Sequence, residues 1–392
     1  MDVFISDWLN ILIRWFHLIV GIGWIGASFY FVALDFGLRK EAGSHPGIYG
    51  AQWQVHGGGF YHVQKYMVAP ERLPEHLHWF KWDAYLTWLT GFALLVVQYY
   101  WHAESYLIDP AVAALAKPEA IMISIASLAG GFLIYDWICR SPLGRRTDVL
   151  AVCVFVLIVG AAWLFTQVFS GRGAFIHVGA FIGTIMAANV FVVIMPGQRK
   201  TVAQMLAGET PEPIHGIRAK QRSLHNNYLT LPVLLMMVSN HYPLLFGHPH
   251  SWLVVALILV VGGLIRHIIN SADAGKDFLA YGWAAPAGLF ALACAIVFTA
   301  PTQGAGGPVM SDQQAVALIA KHCTMCHAAT PSHDGFSEAP KGVMLDSLAA
   351  IRSHRAAIIA QAVQGNAMPL GNETAMSADE RTALGAWLRA QR

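Results

Sequence analysis

Two cysteines and a histidine near the C-terminus form the chemically most specific pattern in the sequence. Cys323, Cys326 and His327 have the spacing C-x-x-C-H, which is the attachment signature of c-type haem. Each thiol can add across one vinyl group of the macrocycle, and the adjacent imidazole can then ligate the iron. A thioredoxin-like dithiol would not need the histidine, and a zinc site would need two further ligands nearby. We therefore interpret the motif as the attachment site of one covalent haem c.

The iron of an electron-transfer haem usually takes a thioether sulfur as its second axial ligand, which raises the reduction potential. Three methionines follow the motif: Met344, Met368 and Met376. Met368 precedes Pro369 and lies between the motif and the last predicted helix, so we favour it as the axial ligand. Three histidines compete for the iron and are interpreted as solvated surface residues: His322, His333 and His354.

The motif lies in a segment organised like a small soluble domain, residues 311–392. Ser311 can cap a short helix before the motif, and Ser377 with Glu380 forms a capping box for a C-terminal helix. This order predicts a small class I cytochrome c domain, whose core would be marginal without its covalent cofactor. The preceding residues 301–310 are rich in glycine and proline and predict a linker.

Residues 1–300 have the composition of an integral membrane domain. In the whole chain 56% of the residues are hydrophobic and 12% are charged, against about 25% charged residues in an ordinary soluble domain. A helix needs ~20 apolar residues to span a bilayer. Stretches of this kind lie near residues 8–38, 80–102, 119–139, 148–170, 173–196, 224–244, 250–270 and 279–300. The sequence therefore predicts an all-α fold, a polytopic bundle of about eight transmembrane helices followed by the cytochrome c domain.

Basic residues are concentrated in alternate connections between the predicted spans. Arg39, Arg145, Arg199 and Lys276 represent the connections after the first, third, fifth and seventh spans, and the other connections hold almost none. By the positive-inside rule the basic connections face the cytoplasm and both termini face outward. Haem c is attached on the oxidising outer side, which agrees with this orientation. The lipid bilayer is thus an expected partner, whereas no Lys/Arg run suggests nucleic acid.

Two histidines within predicted spans are candidate haem ligands, because polar groups are costly in lipid. His17 lies in the first span and His177 in the fifth, each a few residues past the outer end. Two imidazoles at one depth can ligate a haem b between helices. The alternative is that each histidine only hydrogen-bonds a neighbouring helix.

Two polar and aromatic clusters lie toward the predicted cytoplasmic face. In the first, Gln54, His56 and His62 flank three consecutive glycines, which allow close backbone approach to a ligand or a tight re-entrant turn. The second cluster joins the start of the sixth span to the end of the seventh: Arg222, His225, Asn226, Asn227, Arg266, Asn270 and Asp273. With Trp79 and Trp82 for stacking, these residues predict a pocket for a planar polar substrate. An interfacial aromatic belt with capped helix starts is the alternative.

The chain resembles the membrane-bound urate oxidases (urate hydroxylases) of bacterial purine catabolism, which join an eight-helix membrane domain to a C-terminal cytochrome c. The resemblance covers essentially the whole chain. It rests on Trp15-Phe16-His17, the glycine-containing segment 54–61, the segments 78–82 and 224–228, and the C-x-x-C-H motif.

This resemblance implies that urate is the substrate and is oxidised to 5-hydroxyisourate, with water supplying the new oxygen. The electrons would pass to haem c and on to a downstream cytochrome c or terminal oxidase in the bacterial inner membrane. Urate oxidation releases two electrons and one haem c accepts one, so a second centre or a radical intermediate is needed. This favours haem b at His17 and His177.

The resemblance also implies roles for the polar residues. Arg222 or Arg266 would pair with the urate monoanion, since a planar guanidinium can bond two acceptors at once. The remaining residues form two groups: Asn226, Asn227 and Gln54 would bond the ring edges, and His56, His62 or His225 would accept a proton.

Two other functions fit the sequence. One is a relay that passes electrons from quinol to the cytochrome without urate chemistry. The other is a transporter with a tethered cytochrome, which is disfavoured because no inverted repeat is apparent.

Overall fold

The computed structural model describes residues 2–41, 45, 47–300 and 310–391, and it is mostly helical. The predicted linker, apart from residue 310, lies outside the described residues. The N-terminal part has one large hydrophobic core, which Ala367 of the C-terminal segment joins, and the segment that begins at residue 310 has a second core of its own.

Helices occupy each of the predicted spans of the N-terminal part. The longer ones are α1 (Asp2–Gly37), α2 (Trp82–Leu94), α4 (Lys117–Arg140), α5 (Thr147–Val168), α6 (Gly171–Ala188), α7 (Met195–Leu206), α8 (Pro213–Val238), α10 (Ser251–Asp273) and α12 (Ala284–Phe298). Short helices lie between them: α3 (Ala103–Tyr106), α9 (Pro243–Phe246) and α11 (Phe278–Tyr281).

Six helical segments of the described chain are long and apolar enough to cross a membrane. They are Asp7–Gly37, Lys117–Arg140, Thr147–Val168, Gly171–Leu206, Ser251–Asp273 and Phe278–Phe298. The helices α2 and α8 are outside this set, so the second and sixth spans stay predictions. The first half of α8 carries Arg218, Lys220 and Arg222, which lowers its apolar character.

Two of the long helices contain π-helical turns. The helix α2 continues as a π-helix over Leu95–Tyr100, and α6 continues as one over Asn189–Ile194 before α7 begins. A π-turn inserts one residue into the helical ladder and is frequent at functional sites. Here the second turn directs the buried Asn189 toward α8.

A β-hairpin corrects the prediction of an all-α fold. Its strands β1 (Ile48–His56) and β2 (Gly59–Tyr66) pair antiparallel, with Trp53 opposite His62. Gly57 and Gly58 form the connection with φ values of +57° and +81°, which is the backbone of a type I′ turn and suits glycine. The hairpin is attached to the end of α1, where Lys65 forms an ion pair with Asp35 at 2.5 Å.

The helix α6 is the centre of the N-terminal core. Of the 18 most apolar consecutive residues in Gly171–Leu206, 67% are buried, against 17% in the corresponding stretch of Asp7–Gly37. The ring of Phe181 fits against Gly131 of α4, where a side chain would collide with it. Small residues of this kind let membrane helices approach closely. The exposed apolar side chains of α1 are consistent with a membrane protein.

The C-terminal segment folds around its own core. It contains α13 (Asp312–His322), α14 (Leu348–Ser353), α15 (Arg355–Ile358), a π-turn at Ile359–Gln364 and α16 (Ala378–Ala390). The predicted caps are confirmed, because the hydroxyls of Ser311 and Ser377 accept from the backbone N–H of Gln314 and Glu380. Ile319 of α13 packs with Leu384 and Leu388 of α16.

The C-terminal segment contacts the N-terminal part on one face, at the connections that hold few basic residues. The Ser105 hydroxyl donates a hydrogen bond to Glu373. A side chain at Gly371 would meet the Ser105 carbonyl oxygen at 2.9 Å, and the φ of +58° at Gly371 also favours glycine. The short helix α3 therefore docks closely against residues 370–373.

Candidate functional site

A cavity lies between the C-terminal segment and this face of the N-terminal part. It is open to solvent and holds about 720 Å³ of empty space. Cys323, Cys326, His327 and Met368 all line it. The residues of the haem motif and the favoured methionine thus meet at one cavity.

His327 has the orientation of a ligand imidazole. Its Nδ1 lies 2.9 Å from the carbonyl oxygen of Val343, and an N–H at Nδ1 that donates to this oxygen leaves the lone pair of Nε2 available. A hydrogen bond of this kind fixes the tautomer of metal-binding histidines and increases their basicity.

The environment of the cysteines does not suit a redox dithiol. Burial raises the pKa of the Cys323 thiol to about 12, and burial also raises the pKa of Cys326. Thioredoxin-like C-x-x-C motifs instead lower the pKa of one thiol to generate a nucleophilic thiolate. Neither cysteine forms a disulfide in the structure. The thiols are thus held in their neutral form in the wall of the cavity.

The three candidate methionines have different surroundings. Met376 is buried in the core of the C-terminal segment and Met344 is 44% exposed, whereas Met368 lines the cavity. The interpretation of His322 as a surface residue is wrong. His322 is buried at the C-terminal end of α13, with Nδ1 2.7 Å from the Thr374 hydroxyl. His333 also lines the cavity, where it pairs with Glu373 at 3.0 Å.

The N-terminal part contributes Tyr106 and Arg172 to the wall of the cavity. Sequence reasoning missed both, because neither belongs to a motif and both are far along the chain from Cys323. A carboxylate also lies near this interface. Asp109 is buried, and its Oδ1 accepts from the Ala111 N–H at 2.9 Å.

The two histidines proposed for haem b are bonded to neighbouring groups. His177 is fully buried, its Nδ1 lies 2.7 Å from the Gly173 carbonyl oxygen, and its Nε2 lies 2.6 Å from the Ser124 hydroxyl. His17 contacts the Thr90 hydroxyl through Nδ1 at 2.9 Å. Iron coordination by His177 would therefore require displacement of one of these partners.

The predicted substrate pocket is divided by α8 into two polar clusters. We define the first, cluster A, by Arg222, His225, Asn226, Asn189, Tyr135 and Asp136. Arg222 forms an ion pair with Asp136 at 2.8 Å, and the Tyr135 hydroxyl contacts His225 Nδ1 at 2.6 Å. Asn189 donates to Asn226 at 2.9 Å.

Arg222 also lines a second cavity, of about 610 Å³, at the basic end of the helices. Its other cationic residues are Arg140, Lys200 and Arg218. The positive charge of Arg222 itself is compensated by Asp136.

The second group, cluster B, consists of Arg266, Asn227, Asn270 and the ring of Phe29. Arg266 donates to Asn270 at 3.0 Å, and its guanidinium carbon lies 4.2 Å from the centroid of the Phe29 ring. In the part of the chain that the structure describes, no carboxylate lies within ion-pair distance of Arg266. The Nδ2 of Asn227 is buried and has no hydrogen-bond partner there. Asp273 attracts Arg266 from beyond ion-pair distance, so cluster B combines a cation that has no directly bonded carboxylate with a free amide donor.

The remaining predicted site residues lie in the hairpin. Gln54 accepts a hydrogen bond from Tyr30 at 2.8 Å, His62 stacks on Trp53 and contacts Glu41, and His56 is exposed at the end of β1. Trp82 is largely exposed, so it does not form a buried stacking surface. The structure thus brings Arg222, His225 and Asn226 together, and Arg266 with Asn227. Sequence reasoning missed Asp136, Tyr135, Asn189 and Phe29, because they come from other helices.

Within the described ranges, no group of three or more histidine, cysteine, aspartate and glutamate side chains is arranged to hold a metal ion. A c-type haem takes its protein ligands differently, with one histidine and one further axial side chain.

The fold defines a mostly helical protein that has helices long and apolar enough to cross a membrane. This class of protein includes oxidoreductases. The family model "Urate oxidase N-terminal" matches residues 3–298, and the chain belongs to this family. The match supports an oxidoreductase related to urate. No curated protein and no solved structure matches the chain.

Proposed function

We propose that the protein is a membrane-bound urate oxidase that converts urate to 5-hydroxyisourate and passes the electrons to a covalent haem c. The family match over residues 3–298 carries this proposal. The proposed stoichiometry is balanced, because urate and one water give 5-hydroxyisourate, two protons and two electrons. A downstream cytochrome c or terminal oxidase would receive the electrons.

The cavity residues fit haem c. The two cysteines, the oriented imidazole of His327 and the sulfur of Met368 line one cavity, which matches the covalent and axial groups that such a haem requires. When bound, haem c supplies a one-electron acceptor. The segment around it would be the proposed cytochrome c domain, residues 311–392.

The proposed location is the bacterial inner membrane, with both termini on the periplasmic side. The six membrane-span-capable helices support membrane insertion. The C-terminal segment docks on the face whose connections hold few basic residues, which is the outer face under the positive-inside rule.

We propose cluster B as the binding site of the urate monoanion. A buried cation without an anion is unfavourable, and Arg266 has only neutral groups within hydrogen-bond distance in the described structure. A bound monoanion would compensate this charge and could accept from the free Nδ2 of Asn227. Arg222 is less suited, because Asp136 already neutralises it.

None of the three histidines predicted to accept a proton belongs to cluster B, because His225 contacts Tyr135 in cluster A and His56 and His62 lie in the hairpin. Residues two apart on a helix do not share a face, so α8 separates the side chain of His225 from that of Asn227. The proton acceptor therefore stays a prediction. The second electron still needs an acceptor, and haem b at His17 and His177 stays a prediction. A pyridine haemochrome spectrum with only c-type haem would exclude haem b.

The decisive experiment is anaerobic addition of urate to the detergent-solubilised protein, followed by absorption spectroscopy of the haem. We expect reduction of the c-type bands with stoichiometric loss of urate. Prompt reduction by a quinol together with no reduction by urate would instead establish the electron relay.

A further inference from the structure

Arg172 is the one cationic side chain that the N-terminal part contributes to the cavity among the described residues. It lies in the first turn of α6, the most buried of the long helices. The opposite wall consists of the C-x-x-C-H residues and Met368 from the C-terminal segment. Arg172 thus faces the proposed haem site from the other half of the molecule.

The guanidinium of Arg172 has no anionic partner in the described structure. No hydrogen bond or ion pair forms there, and its Nε is buried without a partner. The rings of Tyr106 and Phe246 lie 5.9 and 6.0 Å from the guanidinium carbon. Cation–π contacts are weak and do not replace an anionic partner for the guanidinium.

The carboxylate that lines the same cavity does not compensate this charge. Glu373 is engaged elsewhere, because it accepts from the Ser105 hydroxyl and pairs with His333 at 3.0 Å. It also lies beyond ion-pair distance of Arg172. The negative charge of Glu373 would moreover repel a second anion in the cavity, so that an anion bound there needs a cation.

A c-type haem carries two propionate carboxylates, on the edge of the macrocycle remote from its vinyl groups. Thioether bonds at Cys323 and Cys326 would hold the vinyl edge on the C-terminal segment. The propionate edge would then be free to meet residues that this segment does not supply. A guanidinium is well suited to a carboxylate, because its planar donors can form two parallel hydrogen bonds.

We propose that Arg172 binds a haem propionate, so that the cofactor links the C-terminal segment to the N-terminal part. This inference rests on the proposed function, because it requires haem c at Cys323 and Cys326. Loading of the cofactor would then strengthen docking of the two parts, and the haem would face the domain in which urate is oxidised.

The test uses full-length protein loaded with haem, carrying a specific protease site within residues 302–307. The variants are Arg172→Gln, Arg172→Lys and, as a matched control, Arg389→Gln, which removes an exposed positive charge outside the cavity. Three quantities are measured: the haem reduction potential, the resonance Raman bands of the propionates, and release of the C-terminal fragment after cleavage.

We expect Arg172→Gln to lower the reduction potential, because loss of a nearby cation stabilises the oxidised haem. It should also shift the propionate bands and release the fragment about tenfold faster, a change equivalent to about 1.4 kcal/mol. Arg172→Lys keeps the positive charge, so it should lower the reduction potential less than Arg172→Gln does. Arg389→Gln should leave all three quantities unchanged.

Equal potentials, propionate bands and release rates in Arg172→Gln and the parent protein would overturn the inference, provided that both hold a full complement of haem c. Absence of covalent haem from the parent protein would overturn the proposed function itself. A pyridine haemochrome assay on the parent distinguishes these two failures.

Discussion

The two arginines expected to bind the substrate have opposite electrostatic surroundings. Arg222 lies beside Asp136, and the side chain of Arg222 is almost completely buried. Arg266 lies among two asparagines and an aromatic ring. The same residue type therefore has a structural role in cluster A and is available for an anion in cluster B.

Replacement of Arg266 by leucine should raise the KM for urate while haem content stays unchanged. Hydrogen bonds to a charged group contribute about 1.5–3 kcal/mol, which corresponds to an increase of roughly 10- to 150-fold. Arg266→Lys keeps the charge but not the paired donors, so its effect should be smaller. Steady-state kinetics with an artificial electron acceptor provides the measurement. An unchanged KM in Arg266→Leu would remove this residue from the site.

Arg222→Leu provides the matched control, because we expect it to lower the stability of the protein and not to raise the KM for urate directly. It breaks the buried ion pair with Asp136, but Arg140 still contacts this carboxylate at 2.6 Å. The loss of stability should therefore be smaller than the penalty of about 3–5 kcal/mol for a buried charge that is left fully unpaired. The double replacement Arg222→Leu with Asp136→Leu should recover much of this loss. Thermal unfolding in detergent distinguishes the single from the double variant. A KM effect in the double variant equal to that of Arg266→Leu would place the anion in cluster A instead.

The three methionines give a second prediction, about the axial ligand. Met368→Ala should abolish the charge-transfer band between sulfur and ferric iron and lower the reduction potential. Met376→Ala should leave the spectrum unchanged and destabilise the C-terminal segment by about 2–5 kcal/mol, because Met376 is buried in its core. Met344→Ala should change neither the haem spectrum nor the stability of the C-terminal segment. A retained charge-transfer band in Met368→Ala would exclude this residue as the ligand.

Among the secondary-structure elements, the hairpin shows where sequence reasoning failed. The three glycines Gly57, Gly58 and Gly59 predict either close approach to a ligand or a tight turn, and the first two form a tight turn between strands that were not predicted. A two-residue Gly-Gly turn between alternating residues is a hairpin signal. Gly50 and Ala51 are the buried residues of the two strands and the others are half-buried or exposed, so the alternation of buried and exposed positions that marks a strand is weak.

The long helices were more predictable, because length and apolar composition are local properties of the chain. The π-turns were not, since a one-residue insertion leaves the composition unchanged. Asn189 illustrates the consequence. It reaches Asn226 and Tyr135 from a π-turn, and no sequence pattern indicates this contact.

Close packing between α4 and α6 gives a third prediction. A Cβ at Gly131 would collide with the Phe181 ring, whereas a Cβ at the adjacent Gly130 meets nothing within 4 Å. Gly131→Ala should destabilise the N-terminal part by about 1–3 kcal/mol, as overpacking does. Gly130→Ala should be neutral or stabilising, by up to about 1 kcal/mol. Thermal unfolding of the two variants tests this, and equal stabilities would contradict the helix packing.

For the molecule as a whole, the haem motif could be recognised from five adjacent residues, but its position in the folded molecule could not be predicted. Arg172 and Tyr106 lie far along the chain from Cys323, yet the three line one cavity. Docking of the C-terminal segment depends on shape, as at Gly371 against Ser105. Such contacts between distant residues leave no periodicity or spacing in the sequence.

The docked arrangement gives a fourth prediction, about pH. Asp109 is buried near the contact between the two parts, where burial raises the pKa of its carboxyl above the ordinary value of 3.8, although the Ala111 N–H, Asn372 and Arg381 oppose this rise. The docked state therefore binds the proton more tightly than an undocked state with an exposed carboxyl. Its contribution favours docking most strongly below pH 3.8 and is lost as the pH rises through the raised pKa.

Asp109→Asn should remove this dependence, because the amide oxygen still accepts from the Ala111 N–H and no charge has to be buried. After cleavage within residues 302–307, the parent fragment should be released faster as the pH rises from the acid range to neutrality. The Asp109→Asn fragment should be released at a more constant rate, and more slowly than the parent at pH 7. Faster release of the Asn variant at every pH would instead mean that attraction between the ionised carboxylate and Arg381 outweighs the penalty of burial, and that Asp109 strengthens docking in its charged form.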